Sequence, residues 1–188
     1  MSRQILTIFI FCIFTIQGMS QNEPWRKLTN LPDNFPRLEQ TQKSLFYLQR
    51  NMNVNTIVYD LNFHEDGSIN IKEPIDVYWR RFPKDKAPYR KEITWLEHKF
   101  AFGYHSKKEK NGDGFQVELV AYGDRKIRLK KNKNGRYEAF MDIKGKNCQL
   151  TNLYVYADLT NWWPDVIHVD IYGKDPNTGA IIHERFLN

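Results

Sequence analysis

Short segments rich in Val, Ile, Tyr, Phe and Thr recur from residue 45 to residue 186. Most are broken off by turn chemistry, and this rhythm limits the fold more than any other feature of the chain. The segments are 45–50, 55–63, 75–82, 115–122, 126–131, 137–144, 148–158, 166–172 and 180–186. The turn residues between them include Asp66-Gly67, Gly123-Asp124, Asn134-Gly135, Gly145-Lys146 and Asn177-Thr178-Gly179. Many short strands joined by tight turns predict an all-β fold, an antiparallel β-barrel or β-sandwich. One stretch departs from the pattern. Residues 94–104 read as a single inserted α-helix, with Thr94 and Glu97 spaced as a capping box. Leu96, Phe100 and Gly103, preceded by Ile93, fall on one helical stripe that would plug or cover the β-structure. Residues 107–114 follow as a charged, Gly-rich loop.

The densest charge run is Arg125 to Arg136, and side-chain direction decides how it reads. Lys126, Arg128 and Lys130 point one way, Ile127 and Leu129 the other, so the run is an amphipathic strand. A three-residue loop at Lys133-Asn134-Gly135, with Gly135 in the left-handed position, pairs residues whose numbers sum to 268. Ile127 then faces Met141, Leu129 faces Ala139, Lys130 faces Glu138 and Lys126 faces Asp142: two apolar and two opposite-charge pairs. A turn around Gly123 would bring Glu118 near Arg128 or Lys130. A basic stripe flanked by carboxylates, without interleaved aromatics, is a solvated sheet face, and no nucleic-acid partner is expected.

At the N-terminus, Arg3 precedes a nearly unbroken apolar run over residues 5–16, and Gly18-Met19-Ser20 supplies small residues for a cut before Gln21. These are the parts of a secretory signal peptide, and the run is too short to span a bilayer. The expected organisation is a signal peptide at 1–20, a linker at 21–43 with Pro24, Pro32 and Pro36, and one β-rich domain at 44–188. The mature part holds no further run long enough to cross a membrane, and its destination is the periplasm or the outside of the cell. Of the two cysteines, Cys12 leaves with the signal. Cys148 remains alone, without an internal bridge; it reads as a buried small hydrophobe, the alternative being a reactive or intermolecular thiol. With 28 Lys+Arg against 22 Asp+Glu the chain carries +6, a mild general attraction for anions.

The chemistry-bearing residues form no familiar active-site motif. The histidines are His64, His98, His105, His168 and His183, without metal-ligand spacing, and neither a metal nor another cofactor is expected. On the strand at 166–172, Val166, His168, Asp170 and Tyr172 share one side. Ile167, Val169 and Ile171 share the apolar side, so His168 and Asp170 are expected to face solvent. The run from Asp175 to Gly179 lacks the length and closing Glu of a calcium loop and reads as a turn. The aromatics say more. Ile75, Val77, Trp79 and Arg81 align an apolar face with a guanidinium at its end, and two adjacent Trp, Trp162 and Trp163, cannot both face the core of a regular strand: either at least one stands exposed at a loop, or both wedge under it to close the domain end. Trp79, Trp162 and Trp163 are the candidate packing surfaces for a ligand, and Arg81 is the candidate anion anchor.

Three stretches carry a family likeness: Val77-Tyr78-Trp79-Arg80-Arg81, Lys99-Phe100-Ala101-Phe102-Gly103-Tyr104, and Val169-Asp170-Ile171-Tyr172-Gly173 continuing to Thr178-Gly179. Through them the chain resembles an uncharacterised family of exported bacterial domains of unknown function. That resemblance implies export and transfers no activity, substrate or site. The expected function is an exported, non-catalytic binding module for an apolar or amphipathic small ligand or a cell-envelope partner. The alternatives are an envelope-polymer hydrolase using His168 and Asp170 and a purely structural envelope protein. The exported form is expected to begin at Gln21. N-terminal sequencing of protein from a periplasmic or culture-medium fraction checks this, and a membrane-retained chain that still begins at Met1 refutes it.

Overall fold

The computed structural model describes residue 38, residues 41–110 and 112–158, residue 160 and residues 165–187. The signal peptide, almost all of the linker, Trp162 and Trp163 lie outside the described residues. Eleven strands form one sheet: β1 (Ser44–Arg50), β2 (Asn53–Leu61), β3 (Ile75–Arg81), β4 (Tyr89–Glu92), β5 (Tyr104–Lys108), β6 (Phe115–Leu119), β7 (Tyr122–Lys131), β8 (Tyr137–Ile143), β9 (Lys146–Asp158), β10 (Asp165–Lys174) and β11 (Ile181–Leu187). The fold is all-β, and the sheet curls strongly into a half-barrel. One helical turn interrupts it between β4 and β5: α1 (Trp95–Glu97), continued by a π-helical turn over His98–Phe102.

β9 organises the rest. Gln149 pairs with both β8 and β10, and residues 152–155 pair with both β1 and β10. β10 therefore lines one edge of β9, while β8 and then β1 share the other edge. The β1–β9 contact is parallel and every other pairing is antiparallel, so the sheet is mixed rather than purely antiparallel. The buried positions of β9 change parity midway, from Cys148 and Leu150 to Leu153, Val155 and Ala157. The change falls at Thr151, where the β9–β10 register shifts and the Thr151 hydroxyl donates to the Tyr172 carbonyl at 3.0 Å. This bulge bends the strand and lets both of its halves face one core. The two arms, β1–β4 and β5–β8, curl over that core. The Tyr104 hydroxyl fastens one arm to the other: it donates to the Ile75 carbonyl at 2.8 Å and accepts from the Ile75 amide at 2.9 Å.

All nine expected strands form, and the β7–β8 hairpin has the expected register: Leu129 opposes Ala139 and Lys130 opposes Glu138. Gly135 sits at φ +77°, the left-handed conformation its loop requires. Cys148 is a buried free thiol whose titration burial pushes up, the small core hydrophobe expected of it. Asp175 accepts from the Asn177 and Thr178 amides, closing the turn expected there.

Four expectations need correction. First, Glu118 opposes Lys126, at 3.9 Å between Oε1 and Nζ, and not Arg128 or Lys130. The chain reverses at Val120 and Ala121, ahead of Gly123, because Leu119 already pairs with Tyr122. Second, two strands were not foreseen. β4 is exposed at all four positions, and β5 takes Lys107 and Lys108 out of the expected loop. Third, the helical segment is shorter and wound differently. The Thr94–Glu97 capping box forms as expected, with Thr94 Oγ1 accepting from the Glu97 amide at 3.2 Å and Glu97 Oε2 accepting from the Thr94 amide at 2.7 Å. The wider π turn then rotates Ala101 and Phe102 inward and leaves Leu96 and Phe100 exposed, so the expected apolar stripe is not the buried one.

Fourth, His168 and Asp170 do not face solvent: they are 6% and 0% exposed. Val169 and Ile171 do face the core. A register shift between Val166 and His168 moves Val166 to that side too. The reverse face over β1, β2, β9 and β10 is itself buried, as Gln49, Thr56 and Asn152 show.

The π turn explains Gly103. A Cβ there would lie 2.0 Å from the His98 carbonyl oxygen, a backbone atom that cannot step aside. Gly103→Ala is expected to destabilise the fold by about 3 kcal/mol, read from the shift in a urea unfolding curve. An unchanged midpoint would show that the turn is not held as described.

Candidate functional site

Three places in the half-barrel gather chemistry. The first lies where β1 and β3 end. Trp79 is buried, its indole N–H donating to Glu97 Oε1 at 3.1 Å and its ring edge-on to Phe102 at 5.2 Å. The guanidinium of Arg81 lies 4.3 Å from the Trp79 ring and that of Arg50 lies 4.9 Å from it. Arg50 also stacks at 5.5 Å on Phe102 and is only 1% exposed. Its Nε and Nη1 have no hydrogen-bond partner among the described residues. Burial, reinforced by the charge of Arg81 and only partly offset by Glu97, pushes Arg50 down to about 10. Burial also lowers Arg81, with Glu97 acting against it.

The structure thus brings together Trp79 and Arg81, two of the residues picked from the sequence, and adds Arg50 and Glu97. Arg50 carried a readable signal. It ends a strand whose inward side is Phe46 and Leu48, so strict alternation already places it among apolar neighbours.

The second place is on β10 and β11. Asp170 accepts from Arg185 Nε at 2.8 Å, from Arg185 Nη2 at 2.9 Å and from His183 Nε2 at 2.8 Å. His168 Nε2 lies 3.4 Å from its second oxygen. Each imidazole is stacked on a tyrosine, His168 on Tyr156 at 4.9 Å and His183 on Tyr172 at 4.6 Å. Burial alone would raise the Asp170 carboxyl, but the hydrogen bonds from Arg185 and His183 outweigh it and hold the group below its ordinary value. His168 is lowered by burial first and by the Arg185 charge second, against the pull of Asp170. Among the described residues no cluster of His, Cys, Asp and Glu is arranged to hold a metal.

The third place was not foreseen. At the opposite end of β1 and β2 from Arg50 lies an open cleft of about 1650 Å³. Phe63, Ile69 and Ile71 supply aromatic and aliphatic surface, over a floor of the buried Leu61, Phe115 and Tyr137. Lys43, Lys72, Lys108, Lys131 and Arg136 line it as well, against two carboxylates, Glu73 and Asp113. Asp113 is taken by Lys131 at 2.9 Å, and Arg136 Nη2 donates to the Thr41 carbonyl at 3.0 Å. These residues come from six separate stretches of chain, so no local motif announces the cleft.

A family model described as a domain of unknown function (DUF4833) matches residues 46–185. No curated protein and no solved structure matches the chain.

The Asp170 cluster predicts acid lability in two windows. The lowered His168 contributes stability above the ordinary histidine range, and that contribution fades as pH falls through about 6.5 toward its folded value. The lowered Asp170 contributes stability above about 4 that is lost on further acidification. His168→Gln is expected to flatten the decline of melting temperature between about pH 7 and pH 5. An identical slope in the variant would mean that His168 titrates alike folded and unfolded.

Proposed function

We propose, for a chain that belongs to the DUF4833 family, the role of an exported, non-catalytic binding module that takes an amphipathic anion. The observation that carries this reading is the make-up of the large cleft: apolar side chains from Phe63, Ile69 and Ile71 beside an excess of ammonium and guanidinium groups. An apolar tail gains from covering the aromatic surface, at roughly 25 cal/mol per Å² of apolar area removed from water. An anionic head gains from the basic side chains, chiefly through attraction and orientation. The cleft is open and its side chains are long, which suits a ligand of variable tail better than one rigid shape. Export is supported by the charged start, the apolar run at 5–16 and the small residues at 18–20.

A second reading, an envelope-polymer hydrolase, draws support from the Asp170–His183 hydrogen bond. It orients an imidazole whose side chain is 41% exposed, as acid–base chemistry requires.

The probe for the first reading is dodecanoate, with a carboxylate head and an apolar tail. It is expected to bind saturably to the full chain, with neutral dodecyl maltoside binding more weakly. The Lys72→Glu, Lys108→Glu double variant, at exposed positions of the cleft, is expected to weaken dodecanoate about tenfold. Failure of the native chain to bind it, or equal binding by the double variant, would overturn the reading.

A further inference from the structure

We propose that Arg50 and Arg81, held against Trp79 at the far end of β1 and β3, form a binding site for a small oxyanion, distinct from the amphipathic cleft and independent of that reading. Charge around the Trp79 ring is out of balance. Two guanidiniums share one indole, at 4.9 Å and 4.3 Å. The carboxylate whose charge acts on both is Glu97, and its two oxygens are already engaged. Oε1 accepts from the Trp79 indole and Oε2 from the Thr94 amide that caps the helical turn. No hydrogen bond joins Glu97 to either arginine among the described residues, so it offsets part of the charge by attraction alone. Among the described residues the corner keeps an excess positive charge, and Arg50 keeps two N–H groups, Nε and Nη1, with no acceptor.

A buried cation in this condition is costly. Proteins pair buried charges because desolvation of an ion is repaid only by close attraction and satisfied hydrogen bonds. Stacking on Trp79 and Phe102 returns part of that cost but supplies no acceptor. An oxyanion supplies both missing terms at once: a negative charge beside the guanidiniums, and oxygens for their N–H groups. Arginine is the side chain suited to this role, since its guanidinium stacks on aromatics while presenting donors in plane. Arg50 is sealed at 1% exposure, whereas Arg81 is half-buried, so Arg81 links the inner donor to solvent. Carboxylate and phosphate share the chemistry the pair recognises, and the two are told apart by measurement.

The test is calorimetric titration of the full chain with inorganic phosphate and, separately, with acetate. At least one is expected to bind saturably with a Kd of about 1 mM or tighter, and the tighter one assigns the class. Arg81→Gln, at a half-exposed position expected to fold normally, should weaken that binding at least fivefold. Arg50→Met, which keeps the length and apolar stem but removes the charge, should abolish it. Without anion the Arg50→Met chain should melt higher than the native chain, because it no longer buries an uncompensated cation. Adding phosphate or acetate should raise the native melting temperature and leave that of Arg50→Met unmoved. Lys107→Glu, at an exposed position outside both sites, should leave this binding unchanged; loss of binding in it would mark a general charge effect and overturn the assignment. The proposal is overturned if neither anion binds the native chain, or if Arg81→Gln binds as the native chain does. It also fails if Arg50→Met is less stable than native without anion while binding is retained.

Discussion

The architecture depends on the double partnership of β9. A strand of thirteen residues is long enough to hold β8 against its first half and β1 against its second on one edge, while β10 runs along the other. The bulge at Thr151 makes this workable. Without it the alternation of a pleated strand would turn Leu153, Val155 and Ala157 away from the core that Cys148 and Leu150 enter. With it, two arms leave one strand and close over a shared interior. The Tyr104 hydroxyl on Ile75 and the Tyr59 hydroxyl, which donates to the Phe102 carbonyl at 3.0 Å, tie the far ends of that closure together. Both give a buried polar atom a defined partner, which fixes the position of the helical turn over the core.

Local features of this fold were legible in the sequence and distant ones were not. The β7–β8 register follows from one turn and four side-chain pairs within residues 126–142, so alternation and Gly135 are enough to set it. The parallel pairing of β1 with β9 joins segments about a hundred residues apart and leaves no local mark. β4 and β5 escaped notice for a different reason. As edge strands they bury little, so Tyr-Arg-Lys-Glu and Tyr-His-Ser-Lys-Lys show no apolar alternation to read. His168 and Asp170 were assigned to the correct side of β10, away from Val169 and Ile171. What sequence periodicity could not show is that this reverse face is also covered.

The same distinction applies to the candidate sites. Trp79 and Arg81 were visible because one strand presents them together, two residues apart. Arg50 belongs to the same corner but arrives from another strand, and its importance comes from burial without a partner, a property of the assembled fold. The cleft at the opposite end is further from any sequence signature, since its cations come from the approach to β1, the loop before β3, and the ends of β5, β7 and β8. In each case the chemistry is set by which side chains meet, and that is settled by β9 and its bulge.

A sheet that forks at one strand has three free borders where an ordinary open sheet has two. Among the described residues these are β4, β5 and β11. Two are guarded: β4 displays Arg90, Lys91 and Glu92, and β5 ends in Lys107 and Lys108, charges that discourage another backbone from docking alongside. β11 is less protected, for Ile181 and Leu187 stand exposed at its two ends. The forked layout thus leaves β11 as the flank with the most exposed apolar surface, at the two ends of a strand whose middle carries His183, Glu184 and Arg185.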